Sequence, residues 1–166
     1  MSGTEEDSRR QLMRWANGLP FGRAGFHVTR TTDDAAIANA AAGTITFNNL
    51  VDDAENWWAP GASTQQTFTV PAGLSGVYHL ESLVYAGGLA YSWVLVLSVN
   101  GAAVTRSGSS NDDFRAISAT VPLNDGDTIS FILVNWSGGA ITPTAIAASA
   151  SQAAVPYLRA YRISLL

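Results

Sequence analysis

The side chains that carry most acid, base and nucleophilic chemistry in proteins are sparse in this chain. It has two histidines, His27 and His79, and no cysteine. His79 alternates with Tyr78 and Leu80, so we expect its side chain to point away from a core that those two residues face. Ser107-Gly108-Ser109 lacks the Gly-x-Ser-x-Gly spacing of a nucleophile elbow. We therefore predict that the protein is not an enzyme.

Acidic residues occur in close pairs along the chain. The pairs are Asp33-Asp34, Asp52-Asp53, Asp112-Asp113 and Asp125 with Asp127. Oxygen-rich loops can hold calcium, but no segment has the spacing of an EF-hand, and acidic turn residues are common without a metal. Asp112 and Asp113 are the first candidates for a calcium site. No other cofactor is expected.

Two consecutive tryptophans, Trp57 and Trp58, are candidates for a contact with a ligand. In an extended segment they would point to opposite sides, which would leave one of them exposed. An exposed tryptophan can stack on a sugar ring or anchor a protein contact. Trp57 is therefore the candidate ligand contact, unless loop packing or a subunit interface buries both rings.

Basic residues concentrate near the N-terminus of a chain with a net charge of −4. Five of the nine arginines lie in the first thirty residues: Arg9, Arg10, Arg14, Arg23 and Arg30. Arginine and tryptophan are favoured at interfaces. We predict that this arginine cluster docks on an acidic partner, with Arg9, Arg10, Leu12, Arg14 and Trp15 as the contact residues, although a solvated helix face would also explain some of these arginines.

Length and composition limit the possible classes of protein. A chain of 166 residues with 47% hydrophobic and 13% charged residues is typical of one folded domain with a real core. The pI near 4.9 argues against binding to nucleic acid, which requires a basic face. The first residues do not resemble a secretory signal, and the longest apolar stretch, residues 93–97, is too short to insert in a membrane. We expect synthesis in the cytoplasm.

The chain divides into an arm and a body. Residues 1 to about 25 predict a short helix whose apolar stripe contains Leu12, Trp15 and Ala16, and which ends at Asn17-Gly18. So short a helix needs a partner surface, on either its own domain or another protein. From Phe26 to Leu166, short alternating runs separated by turn residues predict an all-β sandwich.

Nine strands are expected in this body. They cover residues 26–31, 44–47, 67–70, 77–85, 92–99, 103–106, 114–121, 128–136 and 157–165. Asn100-Gly101 is the strongest hairpin signal, and a long surface loop is expected over residues 145–154.

Two of these strands carry apolar residues on both faces. In residues 128–136, Ile129, Phe131 and Leu133 lie opposite Ile132, Val134 and Trp136. Residues 93–99 show the same pattern. The outer face of a lone sandwich should be wet, so a second apolar face indicates contact with another subunit, unless the arm or a loop covers it. The predicted interface residues are Trp93, Val94, Val96, Ile132, Val134 and Trp136.

Several motifs resemble those of a known family. Phe47 is followed at the family's spacing by Asp53 and Trp58, and later by Phe68-Thr69-Val70-Pro71 and Gly76-Val77-Tyr78. Asn100-Gly101 closes a strand, and Leu123 precedes Gly126-Asp127 as in the family's turn. Residues 26–166 thus resemble the globular head of complement component one-q, which belongs with the tumour-necrosis-factor-like jelly rolls. The chain resembles the divergent kind of head that is found in phage fibres and virion decoration proteins.

The resemblance implies a two-sheet antiparallel jelly roll that forms a homotrimer through an apolar sheet face. It also implies a structural role in a bacteriophage virion, in capsid decoration or a tail fibre, with the N-terminal arm docked to other virion proteins. Two alternatives stay open. One is a head that binds a carbohydrate or another receptor on the host surface. The other is a glycan-cleaving enzyme, which would need two suitably spaced carboxylates in a cleft.

Overall fold

The computed structural model describes residues 25–53, 55–87, 92–108, 114–145 and 156–165. Within these residues the regular structure consists of strands. They are β1 (Gly25–Thr29), β2 (Ala41–Thr44), β3 (Asn49–Asp53), β4 (Thr67–Thr69), β5 (Gly76–Gly87), β6 (Trp93–Val99), β7 (Ala102–Arg106), β8 (Phe114–Leu123), β9 (Thr128–Asn135), β10 (Thr142–Pro143) and β11 (Tyr157–Leu165). The helix predicted over residues 1–25 and most of the predicted loop over residues 145–154 lie outside the described residues.

The strands form two antiparallel sheets. The first sheet has the order β10-β5-β11-β1-β3, and β8 also pairs with β5. The second sheet has the order β2-β9-β6-β7, and β4 also pairs with β9. The first six strands alternate between the two sheets, so the chain crosses the sandwich at almost every turn. The protein is a two-sheet jelly roll, which confirms the predicted fold class.

One shared core fills the space between the sheets. Side chains alternate between buried and more exposed along β8 and β9, as expected for strands with one face on a core. Phe26 and Phe68 stack there with their ring centroids 4.5 Å apart. Tyr78 is fully buried in the same core, and its hydroxyl donates a hydrogen bond to the Leu74 carbonyl.

The Asn100-Gly101 hairpin forms as predicted. Both residues have positive φ angles, 52° and 78°, and they join β6 to β7. Positive φ at both central residues is the requirement of the hairpin turn that Asn-Gly favours. The Asn100 side chain also donates to the Asp127 carboxylate over 2.8 Å, which ties this turn to the next one.

Most strand predictions are confirmed to within a few residues, but the one over residues 44–47 is wrong. β2 ends at Thr44 and β3 begins at Asn49, so most of the predicted strand lies between two strands. Ile45 and Phe47 are fully buried nonetheless, and Phe47 pairs with Gln65 in an isolated bridge. The apolar alternation of these residues therefore predicted their burial correctly. It did not predict which residues form the strand, because β3, with its polar residues, is the segment that pairs with β1.

Candidate functional site

The outer face of the first sheet presents a group of ring side chains, which we call the aromatic face. Its rings are Tyr85, Phe114, Tyr157, Tyr161, His27 and His79. They point outward because the alternate residues in the same strands, such as Leu158 and Ala160 in β11, are buried in the core. Phe114 retains 52% of its surface exposed. A contiguous apolar patch on a protein surface is a candidate interaction site.

Charged groups cross the middle of the aromatic face in a single row. Strand register places Asp52 beside His27, His27 beside Arg159, and Arg159 beside Glu81. Arg159 contacts Glu81 at 3.5 Å from Nη1 to Oε1, and its guanidinium lies 4.7 Å from the centre of the Tyr157 ring. The row therefore holds opposite charges on four neighbouring strands, with His27 between a carboxylate and a guanidinium.

Each histidine of the aromatic face packs against a tyrosine of β11. The rings of His27 and Tyr157 meet edge to face at 6.2 Å, and those of His79 and Tyr161 lie 5.1 Å apart. Burial and the nearby Arg159 cation lower the pKa of His27, against the opposing effect of the Asp52 and Glu81 carboxylates. His27 is therefore neutral at neutral pH. His79 points away from the core, as predicted.

The outer face of the second sheet carries the predicted subunit interface, and we call it the aliphatic face. Val94 pairs with Val134 and Val96 with Ile132, and these side chains share the face. Val94 is already buried, whereas Trp136, just beyond β9, is 54% exposed. Trp93 was wrongly included. It points into the core with 1% of its surface exposed, because it alternates with Val94 along β6.

Trp57 is also buried, with 2% of its surface exposed, so its prediction as a ligand contact is wrong. Residues 55–62 are not extended. They form a loop that turns both tryptophans inward, and Asn56 there has a φ of 63°. The Asp53 carboxylate accepts hydrogen bonds from the backbone N–H groups of Trp57 and Trp58, each over 2.8 Å. That carboxylate holds the loop in the shape that buries the pair.

Of the arginines predicted to dock on a partner, Arg30 is used inside the fold. It is 2% exposed, and its Nη1 donates to Asp34 over 2.6 Å and to the Thr46 carbonyl over 2.9 Å. It cannot face an acidic partner, so that part of the prediction is wrong. The residues Arg9, Arg10, Leu12, Arg14, Trp15 and Arg23 lie outside the described residues.

The carboxylates in the described acidic loops accept hydrogen bonds from the protein's own donors. Asp125 accepts from the N–H groups of Gly73, Leu74 and Ser75, and these bonds lower its pKa. Hydrogen bonds, foremost that from Asn100, likewise lower the pKa of Asp127. In the part of the chain that the structure describes, no three acidic or histidine side chains are grouped as a metal would need. Asp112 and Asp113 lie outside it.

A cleft beside β2 offers little to catalysis. Half of its lining residues are alanine, and Asp34 is its one carboxylate among the described residues. That carboxylate is engaged by Arg30 and Thr46. Cleavage of a glycosidic bond generally requires two carboxyl groups on either side of the substrate. This cleft does not provide them.

Among the described residues, none belongs to a helix with the length and apolarity needed to cross a bilayer.

The aromatic face was missed by the analysis of the sequence, although the chain contained a signal for it. In β11 the odd positions are Tyr157, Arg159, Tyr161, Ile163 and Leu165, an aromatic and apolar stripe with one cation. The same alternation was used to find the aliphatic face in β6 and β9. In β11 the two arginines masked it.

Comparison with known proteins identifies the fold alone. No protein-family model matches the chain, and no curated protein matches it. Among solved structures, the chain is similar to murine APRIL, with a TM-score of 0.58, 12% identity, and coverage of 85% of this chain and 99% of that one. It is similar to the PRD1 vertex protein P5, with a TM-score of 0.58, 15% identity, and coverage of 86% and 99%. It is also similar to Eiger TNF from S. frugiperda, with a TM-score of 0.55, 12% identity, and coverage of 87% and 94%.

Proposed function

From this fold, which is that of the tumour-necrosis-factor-like jelly rolls, we propose that the protein is a non-enzymatic structural module of a bacteriophage virion that assembles as a homotrimer. The shared fold of the PRD1 vertex protein P5, a phage protein, supports the virion role. The aromatic face supports the self-association. A protein of this kind is made in the host cytoplasm and carried in the particle.

The aromatic face is the surface that a second copy of the chain covers. It occupies the central strands β5 and β11 of the first sheet, and its side chains are large rings that lose much water-exposed area on contact. Tyrosine and arginine are enriched in the centres of interfaces, and this face contains both. In a ring of three subunits the contact is heterologous: the aromatic face of each subunit packs against a different surface of the next, so that every copy of the face is covered.

The aliphatic face is the alternative surface for self-association. Its strand side chains are smaller than the rings of the aromatic face, Val94 is already covered within the subunit, and its exposed ring, Trp136, lies beyond the end of β9. Its Val96, Ile132 and Val134 remain half-buried and would also lose water if a neighbour covered them.

Two matched substitutions distinguish the faces. Tyr161→Glu places a carboxylate in the aromatic face, and Ile132→Glu places one in the aliphatic face; both residues are half-buried in a single subunit. We expect Tyr161→Glu to give a folded monomer, because a charge buried without a partner opposes association strongly. Ile132→Glu should retain the trimer. Light scattering gives the mass of each, and circular dichroism confirms that each is folded. The reverse result would assign the interface to the aliphatic face.

Attachment to the particle is assigned to the N-terminal arm, with Arg9, Arg10, Leu12, Arg14 and Trp15 as its contacts to other virion proteins. A chain that lacks residues 1–24 retains the whole described sandwich, which begins at Gly25. We expect the shortened chain to form trimers. When it is mixed with particles that lack the protein, it should not sediment with them, whereas the full chain should. Sedimentation of the shortened chain with the particles would remove this role from the arm.

A head that binds host carbohydrate is the second candidate function, and the exposed Trp136 is the observation that favours it. A ring with half of its surface in solvent can stack on a sugar, which the buried Trp57 cannot do. The loop after Trp136 places polar groups near this ring. Its shape is held by hydrogen bonds from the Gly138 N–H to the Asn39 side chain and from Ser137 Oγ to the Gly139 carbonyl.

A further inference from the structure

Both histidines of the chain lie on the aromatic face, one in β1 and one in β5, on either side of β11. Histidine is the side chain whose charge changes between about pH 5 and pH 8. Protonation of His27 therefore adds a positive charge to this face as the pH falls. The core side of the same sheet carries no histidine.

His27 has the more constrained position of the two. The groups that face it are Asp52 from β3, Arg159 and the Tyr157 ring from β11, and, one strand further, Glu81 from β5. Glu81 is paired with Arg159, and Asp52 is exposed to solvent, which screens its attraction for an imidazolium. The protonated ring would therefore be half-buried and next to the Arg159 cation.

We propose that acid opposes self-association through the aromatic face, because protonation of His27 adds a cation beside Arg159 in the surface that a second copy must cover. This inference rests on the proposed function, since it concerns the regulation of the same surface. A protein that assembles through this face at neutral pH would separate into subunits, or bind its neighbours more weakly, in a mildly acidic compartment.

Linkage gives the sign of the effect. Burial already lowers the pKa of His27 in one subunit, and a second subunit removes the water that remains around the ring. The assembled state therefore has the lower histidine pKa and binds fewer protons. Association then releases protons, and a fall in pH through the pKa of the free subunit weakens association. The effect is absent above that pKa.

The test measures the association constant of the full chain by sedimentation equilibrium at about pH 8 and about pH 5.5. We expect the constant to fall measurably, by up to about tenfold per subunit, since tenfold is the largest change that a difference of one pKa unit produces. His27→Gln cannot be protonated and should lose most of this dependence. His79→Gln is the matched control, and it should retain the His27 part of the dependence.

The outcomes separate the two proposals. A monomer at pH 8 contradicts the proposed function. A trimer whose association constant is the same at both pH values leaves that function intact and overturns the inference, as does an unchanged pH dependence in His27→Gln. If His27→Gln does not fold, the ring resonances of His27 are titrated by NMR in the wild-type trimer and in monomeric Tyr161→Glu. A lower pKa in the trimer supports the inference, and equal values contradict it.

Discussion

Replacement of Trp57 by alanine is expected to lower the free energy of unfolding by about 3–5 kcal/mol, a range typical of large aromatic side chains removed from a core. Its ring lies 5.1 Å from that of Phe26 and 5.4 Å from that of Tyr78, which it meets edge to face. Alanine would leave a cavity between the two sheets, and the strands on either side are too firmly paired to close it. Urea denaturation of the variant and the wild type measures the loss.

Trp136→Ala is the matched control, because it removes the same side chain from an exposed position. A surface substitution of this kind usually changes the free energy of unfolding by no more than about 0.5 kcal/mol. The same pair of variants tests the carbohydrate alternative on a glycan array. Loss of sugar binding in folded Trp136→Ala would favour that alternative. A small stability change in Trp57→Ala would mean that Trp57 is not part of the core.

Asp34→Asn is expected to cost about 3–5 kcal/mol at neutral pH, because it leaves the buried Arg30 cation without its counter-charge. Arg30 is 2% exposed, and its remaining partners are the carbonyls of Thr32 and Thr46, which carry no net charge. Asp33→Asn is the neighbouring control. Asp33 is exposed and accepts one hydrogen bond, from the Ala145 N–H. Its loss should cost no more than about 1.5 kcal/mol. Urea denaturation measures both variants.

The difference between the wild type and Asp34→Asn should disappear in acid. Burial alone would raise the pKa of Asp34, but hydrogen bonds from Arg30 and Thr46 outweigh it and lower the pKa below its ordinary value of 3.8. A carboxyl group with a lowered pKa in the folded state contributes stability above its ordinary pKa, and that contribution is lost as the pH falls through the folded value. A cost that stayed constant down to about pH 2 would show that the charge of Asp34 is not what stabilises Arg30.

Alternation along the strands was enough to predict the sandwich, because a period of two reports directly which side chains face the core. The last strand, β11, was predicted with its bounds correct. The same rule assigned His79 to the outside. The Asn-Gly pair specified its hairpin because few other residues accept positive φ at both positions. These features depend on neighbours in sequence, which is why the sequence alone revealed them.

The predictions that failed depend on contacts between distant parts of the chain. Trp57 is buried because the Asp53 carboxylate bends its loop, and Arg30 is buried because Thr46, sixteen residues away, meets it. The polar strand β3 exists because β1 supplies its hydrogen bonds. Trp93 differs, since its alternation with Val94 could have excluded it from the interface. The aromatic face needed the register of four strands, β1, β5, β8 and β11, before its rings could be seen as one surface.

The mass of the wild-type chain in solution at about pH 8, measured by light scattering, tests the central claim most directly. A self-associating jelly roll predicts a mass near three times the 17.5 kDa of one chain. It also predicts that the mass falls to that of one chain in Tyr161→Glu. A wild-type mass of 17.5 kDa, measured at a protein concentration well above that at which particles assemble, would contradict this claim. The aromatic face would then be exposed without a second copy to cover it.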